Sequence, residues 1–110
     1  MAFQVSKSGD VTVIDVEGQL IVGNRQELKQ KVIDEIEKGE RRFVVNFSET
    51  GYIDSSGLGV LVSLSKKIRE QEGDLRLASL NEDLRTLFEL TKLDTLFTIA
   101  DSREEALEGL

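Results

Sequence analysis

The chain has no cysteine, histidine, proline or tryptophan, and only one tyrosine and one methionine among its 110 residues. Without cysteine there can be no disulfide, thiolate metal site or thiol nucleophile. Without histidine the commonest metal ligand and the usual general base at neutral pH are missing. We therefore expect a protein that is not an enzyme and that carries no metal and no cofactor. With no proline and no low-complexity stretch, nothing marks a linker, and residues 1–110 read as one domain. No apolar run approaches the ~18 residues of a membrane-spanning helix. The opening MAFQVSKSGD has neither a basic nor an apolar leader region. A cytoplasmic address with no membrane partner is the expectation.

What is present is ordinary for a soluble fold: 39% hydrophobic and 32% charged residues. A domain of this size buries roughly 60–70% of its unfolded surface, enough for a core without staples. The net charge is −7. Such a surface repels nucleic acid, and Arg41-Arg42 and Lys66-Lys67 are isolated basic pairs. The acidity serves solubility first and a basic partner surface second.

Strand-like and helix-like segments alternate along the chain. Phe3 to Val5 and Val11 to Val16 read as a hairpin about Gly9-Asp10. Asn24 and Glu27 have capping-box spacing, Leu28, Val32, Ile33 and Ile36 form one apolar stripe, and Gly39 supplies a stop. Phe43 to Phe47 is a compact inner strand. A second helix from about Ser56 to Glu72 presents Leu58, Leu61, Val62 and Ile68 on its apolar face, interrupted by Ser65, and Gly73 ends it. Leu75 to Ala78 is a strand, Asn81 caps a helix carrying Leu84, Leu87 and Phe88, and Phe97 to Ala100 is a last strand. Ser102 and Glu105 repeat the capping-box spacing before a short helix with Ala106 and Leu107. The order β-β-α-β-α-β-α-β-α predicts an α/β fold: a mixed, mostly parallel sheet of four to five strands with four helices. Alternation in Leu75-Arg76-Leu77 leaves part of one sheet face wet, with the helices gathered mainly on the other.

The chemistry concentrates in Gly51-Tyr52-Ile53-Asp54-Ser55-Ser56-Gly57-Leu58-Gly59, between the inner strand and the second helix. Open α/β sheets present ligands and reactive groups at such junctions. Ser55 or Ser56 falls at the N-cap or first turn, where unpaired amides and the helix dipole accommodate a phosphate. Asp and Ser are also plain caps and Gly suits tight turns, so folding alone explains much of the string. Two glycines inside a helix cost about 1 kcal/mol each relative to Ala, which folding does not require. They let another chain approach closely.

Tyr52-Ile53-Asp54-Ser55-Ser56-Gly57-Leu58-Gly59-Val60-Leu61 resembles the signature of the bacterial anti-sigma factor antagonists of the STAS domain family. The resemblance covers nearly the whole chain, including Val11 to Leu20, Asn24 to Gly39 and Leu84 to Leu93. It implies partner switching. The unmodified domain binds an anti-sigma factor that is also a serine kinase of the GHKL type, which frees the sigma factor and alters transcription. The kinase phosphorylates the serine after the aspartate, and a metal-dependent serine phosphatase of the PP2C type restores it. Carried onto this sequence, Ser55 is the phosphorylation site, and Asp54, Ser56, Gly57, Leu58 and Gly59 belong to the partner-binding stretch. In Gly18-Gln19-Leu20-Ile21 the family commonly has an acidic residue where Ile21 stands, on the kinase-facing surface. Ile21 with Val22 then forms either a small apolar contact patch or packing that anchors the loop.

Two other classes bear comparison. Around Ser55 there is no Gly-x-Ser-x-Gly elbow, no phosphate-binding Gly-x-x-x-x-Gly-Lys-Ser/Thr string and no carboxylate cluster beside Asp54, which argues against catalysis. The alternative is a structural STAS module within a signalling scaffold or a lipid-transport complex. The short chain and the intact Asp54-Ser55 pair favour the switch. Ser56 is a rival phosphosite, while Ser48, Thr50 and Ser65 read as turn, cap and helix-interior residues.

Overall fold

The structure, a computed structural model, describes residues 2–110. Its elements run β1 (Phe3–Ser8), β2 (Val11–Leu20), α1 (Arg25–Glu37), β3 (Arg42–Ile53), α2 (Ser55–Glu70), β4 (Asp74–Ala78), α3 (Glu82–Leu90), a 3₁₀ turn (Leu93–Thr95), β5 (Thr98–Ala100) and α4 (Arg103–Glu108). The five strands lie in sequence order across one sheet. β1 and β2 form an antiparallel hairpin, and β2 through β5 are parallel neighbours. This is the element order and mixed sheet that the sequence predicts.

Period-two alternation divides the sheet into two faces. Ile14, Val16, Phe43, Val45, Phe47, Leu75 and Leu77 pack with apolar residues of α1, α2 and α3 in the main core. On the opposite face Val11, Val13, Val44 and Ala78 pack against Ala106 of α4. Beyond α4 that face stays polar, with Gln4, Asp15, Asn46 and Ser48 lining an open groove. An edge-to-face contact of Phe88 with Phe97, centroids 6.0 Å apart, fastens α3 near the start of β5.

Several local expectations change. β2 and β3 run past the apolar runs that announced them, and pair as far as Leu20 with Ile53 across two register shifts. The expected Asn24–Glu27 capping box does not form. The Asn24 side chain instead accepts the Ile21 amide at 2.9 Å and donates to the Gln19 carbonyl at 2.9 Å. This side chain is thus taken up by backbone groups at the end of β2 and in the loop after it rather than by the amides of α1. Asn81 and Ser102 do cap, accepting the amides of Leu84 at 2.8 Å and Glu105 at 3.1 Å. Val62 is not on the buried face of α2, being 37% exposed. Gly57, Val60 and Leu64 are buried beside Leu58, Leu61, Ser65 and Ile68, which centres the inner stripe away from position 62. The left-handed turn that follows α2 is made by Glu72, at φ +61°, rather than by Gly73. Gly73 follows because a Cβ there would lie 2.3 Å from the Arg41 carbonyl oxygen.

One polar cluster ties the opening hairpin to α1. Glu35, buried in α1, pairs with Lys7 of β1 and with Lys38 at 3.1 Å, while Lys7 also reaches Glu40 at 3.3 Å and the Thr12 hydroxyl at 2.8 Å. The hydrogen bond from Lys7 holds the Glu35 carboxyl below its ordinary range, against the opposing effect of burial and with help from Lys38. Burial lowers the Lys7 ammonium pKa, but its bonds to Glu35 and Glu40 outweigh this and raise it.

Candidate functional site

Because β2 and β3 are parallel and end together, the loops that leave them lie side by side. The first carries Ile21 to Asn24; the second is the single residue Asp54, the N-cap of α2. Asp54 is bonded on every side. Its Oδ1 accepts the Gly57 amide at 2.7 Å, and its Oδ2 accepts the Val22 amide at 3.1 Å. Its own amide donates to the Leu20 carbonyl at 3.1 Å, and its carbonyl accepts the Leu58 amide at 3.0 Å. Asp54 therefore caps the helix and clamps the two loops together. The capping role was readable in the sequence. The clamp was not, since its partner is a backbone group 32 residues away.

Ser55, the first residue of α2, is exposed. With the Gly57 and Leu58 amides occupied by Asp54, the unsatisfied donors of this helix start are those of Ser55 and Ser56. They sit where a group attached to the Ser55 oxygen would find both hydrogen-bond donors and the positive end of the dipole. Ser56 is half-buried.

The two glycines do different jobs. A Cβ on Gly57 would lie 2.4 Å from the Leu20 carbonyl oxygen, so this glycine lets α2 pass against the end of β2. Gly59 is exposed, and a Cβ there would meet nothing within 4 Å. Leu58, 8% exposed, belongs to the core. Of the residues singled out in the sequence, Asp54, Gly57 and Leu58 thus hold the junction in shape, while Ser55 and Gly59 face solvent. Val22 is 62% exposed beside them, and Ile21 is half-buried.

Sequence reasoning missed the contribution of α3. A groove of about 390 Å³ runs beside Ser55, lined by Tyr52, Ile53, Asp54, Asp83, Leu84 and Leu87 among others. Tyr52 is 58% exposed on its rim. Asp83 and Leu87 are four residues apart, a spacing that places both on one side of a helix and that could have drawn notice. Among the described residues, no group of three or more carboxylates could hold a metal ion, and no helix is long and apolar enough to cross a membrane.

The STAS domain profile matches residues 2–106 of this chain. The chain belongs to the STAS domain family. BtrV of Bordetella bronchiseptica, which carries the name anti-sigma factor antagonist, is 30% identical to it over 106 residues, 96% of this chain and 91% of that protein. The anti-sigma-B factor antagonist of Bacillus subtilis is 30% identical over 95 residues, covering 86% of each chain. The crystal structure of a Thermotoga maritima protein, likewise named as an anti-sigma factor antagonist, superposes on this STAS domain with a TM-score of 0.91 at 32% identity, covering 97% and 92% of the two chains. The resemblance read from Tyr52 to Leu61 therefore extends over the entire fold, and this STAS domain presents its serine at the junction of β3 with α2.

Proposed function

We propose that this STAS domain is an anti-sigma factor antagonist whose binding is switched off by phosphorylation of Ser55. In the unmodified state it binds an anti-sigma factor that is also a GHKL-type serine kinase, and the bound kinase releases its sigma factor. A PP2C-type phosphatase restores Ser55. The chain acts by binding rather than by catalysis, and its dependence on an ATP-using partner sets it in the cytoplasm. The observation that carries this reading is the exposed Ser55 at the start of α2, flanked by exposed Gly59 and Val22 on a backbone that Asp54 fixes.

A phosphoserine carries about −1.5 to −2 charges and three acceptor oxygens. At this helix start the free Ser55 and Ser56 amides and the dipole offset part of the repulsion from Asp54. The cost therefore falls on the complex, where a bare hydroxyl against the partner becomes a bulky dianion. A hundredfold loss of affinity needs only about 2.7 kcal/mol, within the range of one unmatched interfacial charge.

The test is incubation of the purified chain with candidate GHKL kinases of the source genome and ATP, followed by phosphosite mapping and binding measurements. Modification at Ser55, a permanently binding Ser55→Ala form and a weakened Ser55→Asp form are the expected results. Equal partner affinity across the three forms would refute the switch. Recovery of transporter subunits instead of a kinase would make the chain a structural STAS module.

A further inference from the structure

The exposed side of α2 does not end at the phosphosite. Successive steps of three or four residues place Ser55, Gly59, Val62 and Lys66 along one solvent-facing line of the helix, spanning about 16 Å at 1.5 Å per residue. Its first half is bare. Its second half leads into a groove of about 320 Å³ lined by Val62, Ser65, Lys66, Arg69, Glu70 and Leu96. Arg69 fixes one wall by donating to the Leu96 carbonyl at 3.0 Å. Lys66 and Glu70 also border a second depression, toward α1, with Lys29, Ser63 and Lys67.

The charge of this region runs against that of the molecule. The chain carries −7 overall, yet Lys29, Lys66, Lys67 and Arg69 gather here around the one carboxylate of Glu70. Among the described residues, ion pairs are made by Lys7, Lys38, Arg42, Arg76 and Arg85, and none of these four cations takes part. The stems of Lys66 and Arg69 border an apolar strip formed by Val62 and Leu96, and Lys29 and Lys67 line the adjoining depression.

We propose that this line is a docking track for an acidic amphipathic helix of the kinase that acts on Ser55. Its apolar residues seat between Val62 and Leu96, and its carboxylates face Lys29, Lys66 and Lys67. Charge complementarity selects this occupant. A nucleic acid or an anionic membrane would have to approach a surface that is otherwise strongly acidic, whereas one short helix covers the basic track alone. The track also supplies a cause for the switch, because an acidic segment that passes Ser55 is repelled by a phosphate there. The inference rests on the kinase reading of Ser55.

The experiment measures binding of that kinase to the wild-type chain, to a Lys66→Glu/Lys67→Glu double variant, to Val62→Asp and to Ser55→Asp, at low and at high salt. All of the altered track positions are exposed or half-buried on the surface, and unchanged melting checks that the variants fold. The double variant should bind roughly tenfold more weakly at low salt, mostly through a slower on-rate, with the gap closing as salt rises. Wild-type affinity in the double variant, alongside weakened binding by Ser55→Asp, overturns the track and leaves the switch standing. Failure of the wild-type chain to bind any GHKL kinase of the source genome overturns both. Sedimentation with phosphatidylglycerol vesicles that depends on Lys66 and Lys67, with kinase affinity unchanged, gives these cations to a membrane and also overturns the track.

Discussion

The Val22 amide donates to Asp54 Oδ2 at 3.1 Å, joining the loop after β2 to the cap of α2. The same carboxylate holds the Gly57 amide through its other oxygen at 2.7 Å. The residue before Ser55 is thus a structural clamp, and its removal should be felt in two loops at once. Asp54→Ala should cost about 1–2 kcal/mol in denaturant unfolding, the range for loss of a strong cap. Asp54→Asn keeps one acceptor oxygen, so it can preserve the cap or the clamp but not both. Hydrogen exchange at the Val22 and Gly57 amides will show which one is released.

Gly57 and Gly59 should separate cleanly on substitution to Ala. At Gly57 the new methyl meets the Leu20 carbonyl oxygen at 2.4 Å, so α2 must shift, and a loss of about 1–3 kcal/mol is expected. At Gly59 the space is open, and Ala should raise stability by up to about 1 kcal/mol through helix propensity. The same Gly59→Ala change should weaken partner binding. A stabilised variant with unaltered affinity would show that the partner does not touch this position.

The Lys7–Glu35 pair predicts a dependence of stability on pH. The Glu35 pKa is lowered in the folded state, so its contribution is present above the ordinary glutamate pKa of about 4.3 and fades as pH falls through the lower folded value. The Lys7 pKa is raised, so its contribution holds below the ordinary lysine value of about 10.4 and fades as pH rises through the higher folded one. Glu35→Gln should destabilise the chain by about 1.5–3 kcal/mol at neutral pH, the range for hydrogen bonds to a charged group. Its difference from wild type should shrink in acid. Urea melts at neutral pH and near pH 3 provide the comparison.

Phosphorylation of Ser55 should leave the fold intact. Amide shifts are expected within residues 20–24 and 51–60, around the loop pair and the first turn of α2, with the melting temperature within a few degrees of the unmodified chain. Shifts spread through Phe43, Val45 and Leu77 in the core would show a conformational switch instead.

The sequence made the element order legible because most elements announce themselves by apolar period and punctuation, as in Leu28, Val32 and Ile36 before Gly39. It was least legible where strands leave the core. Glu17, Gly18 and Gln19 in β2, and Ser48 and Glu49 in β3, show no strand pattern, because in this stretch the backbone ladder holds the strands while the side chains face water. The Thr50 hydroxyl, donating to the Val16 carbonyl at 2.7 Å, satisfies a group beside one of the register shifts. The motif around Ser55 was legible as a string, but its division of labour was not. Gly57 and Gly59 look alike until the Leu20 carbonyl is seen beside one of them. The α3 wall of the groove is likewise a product of tertiary structure, since Asp83 comes next to Ser55 only when β3 and α3 pack.

The bond from position 22 to the clamp uses its backbone nitrogen, so any residue there except proline can supply it. Replacing Val22 by another residue with a free amide should therefore change what this rim offers to a partner while the serine keeps its place on the helix.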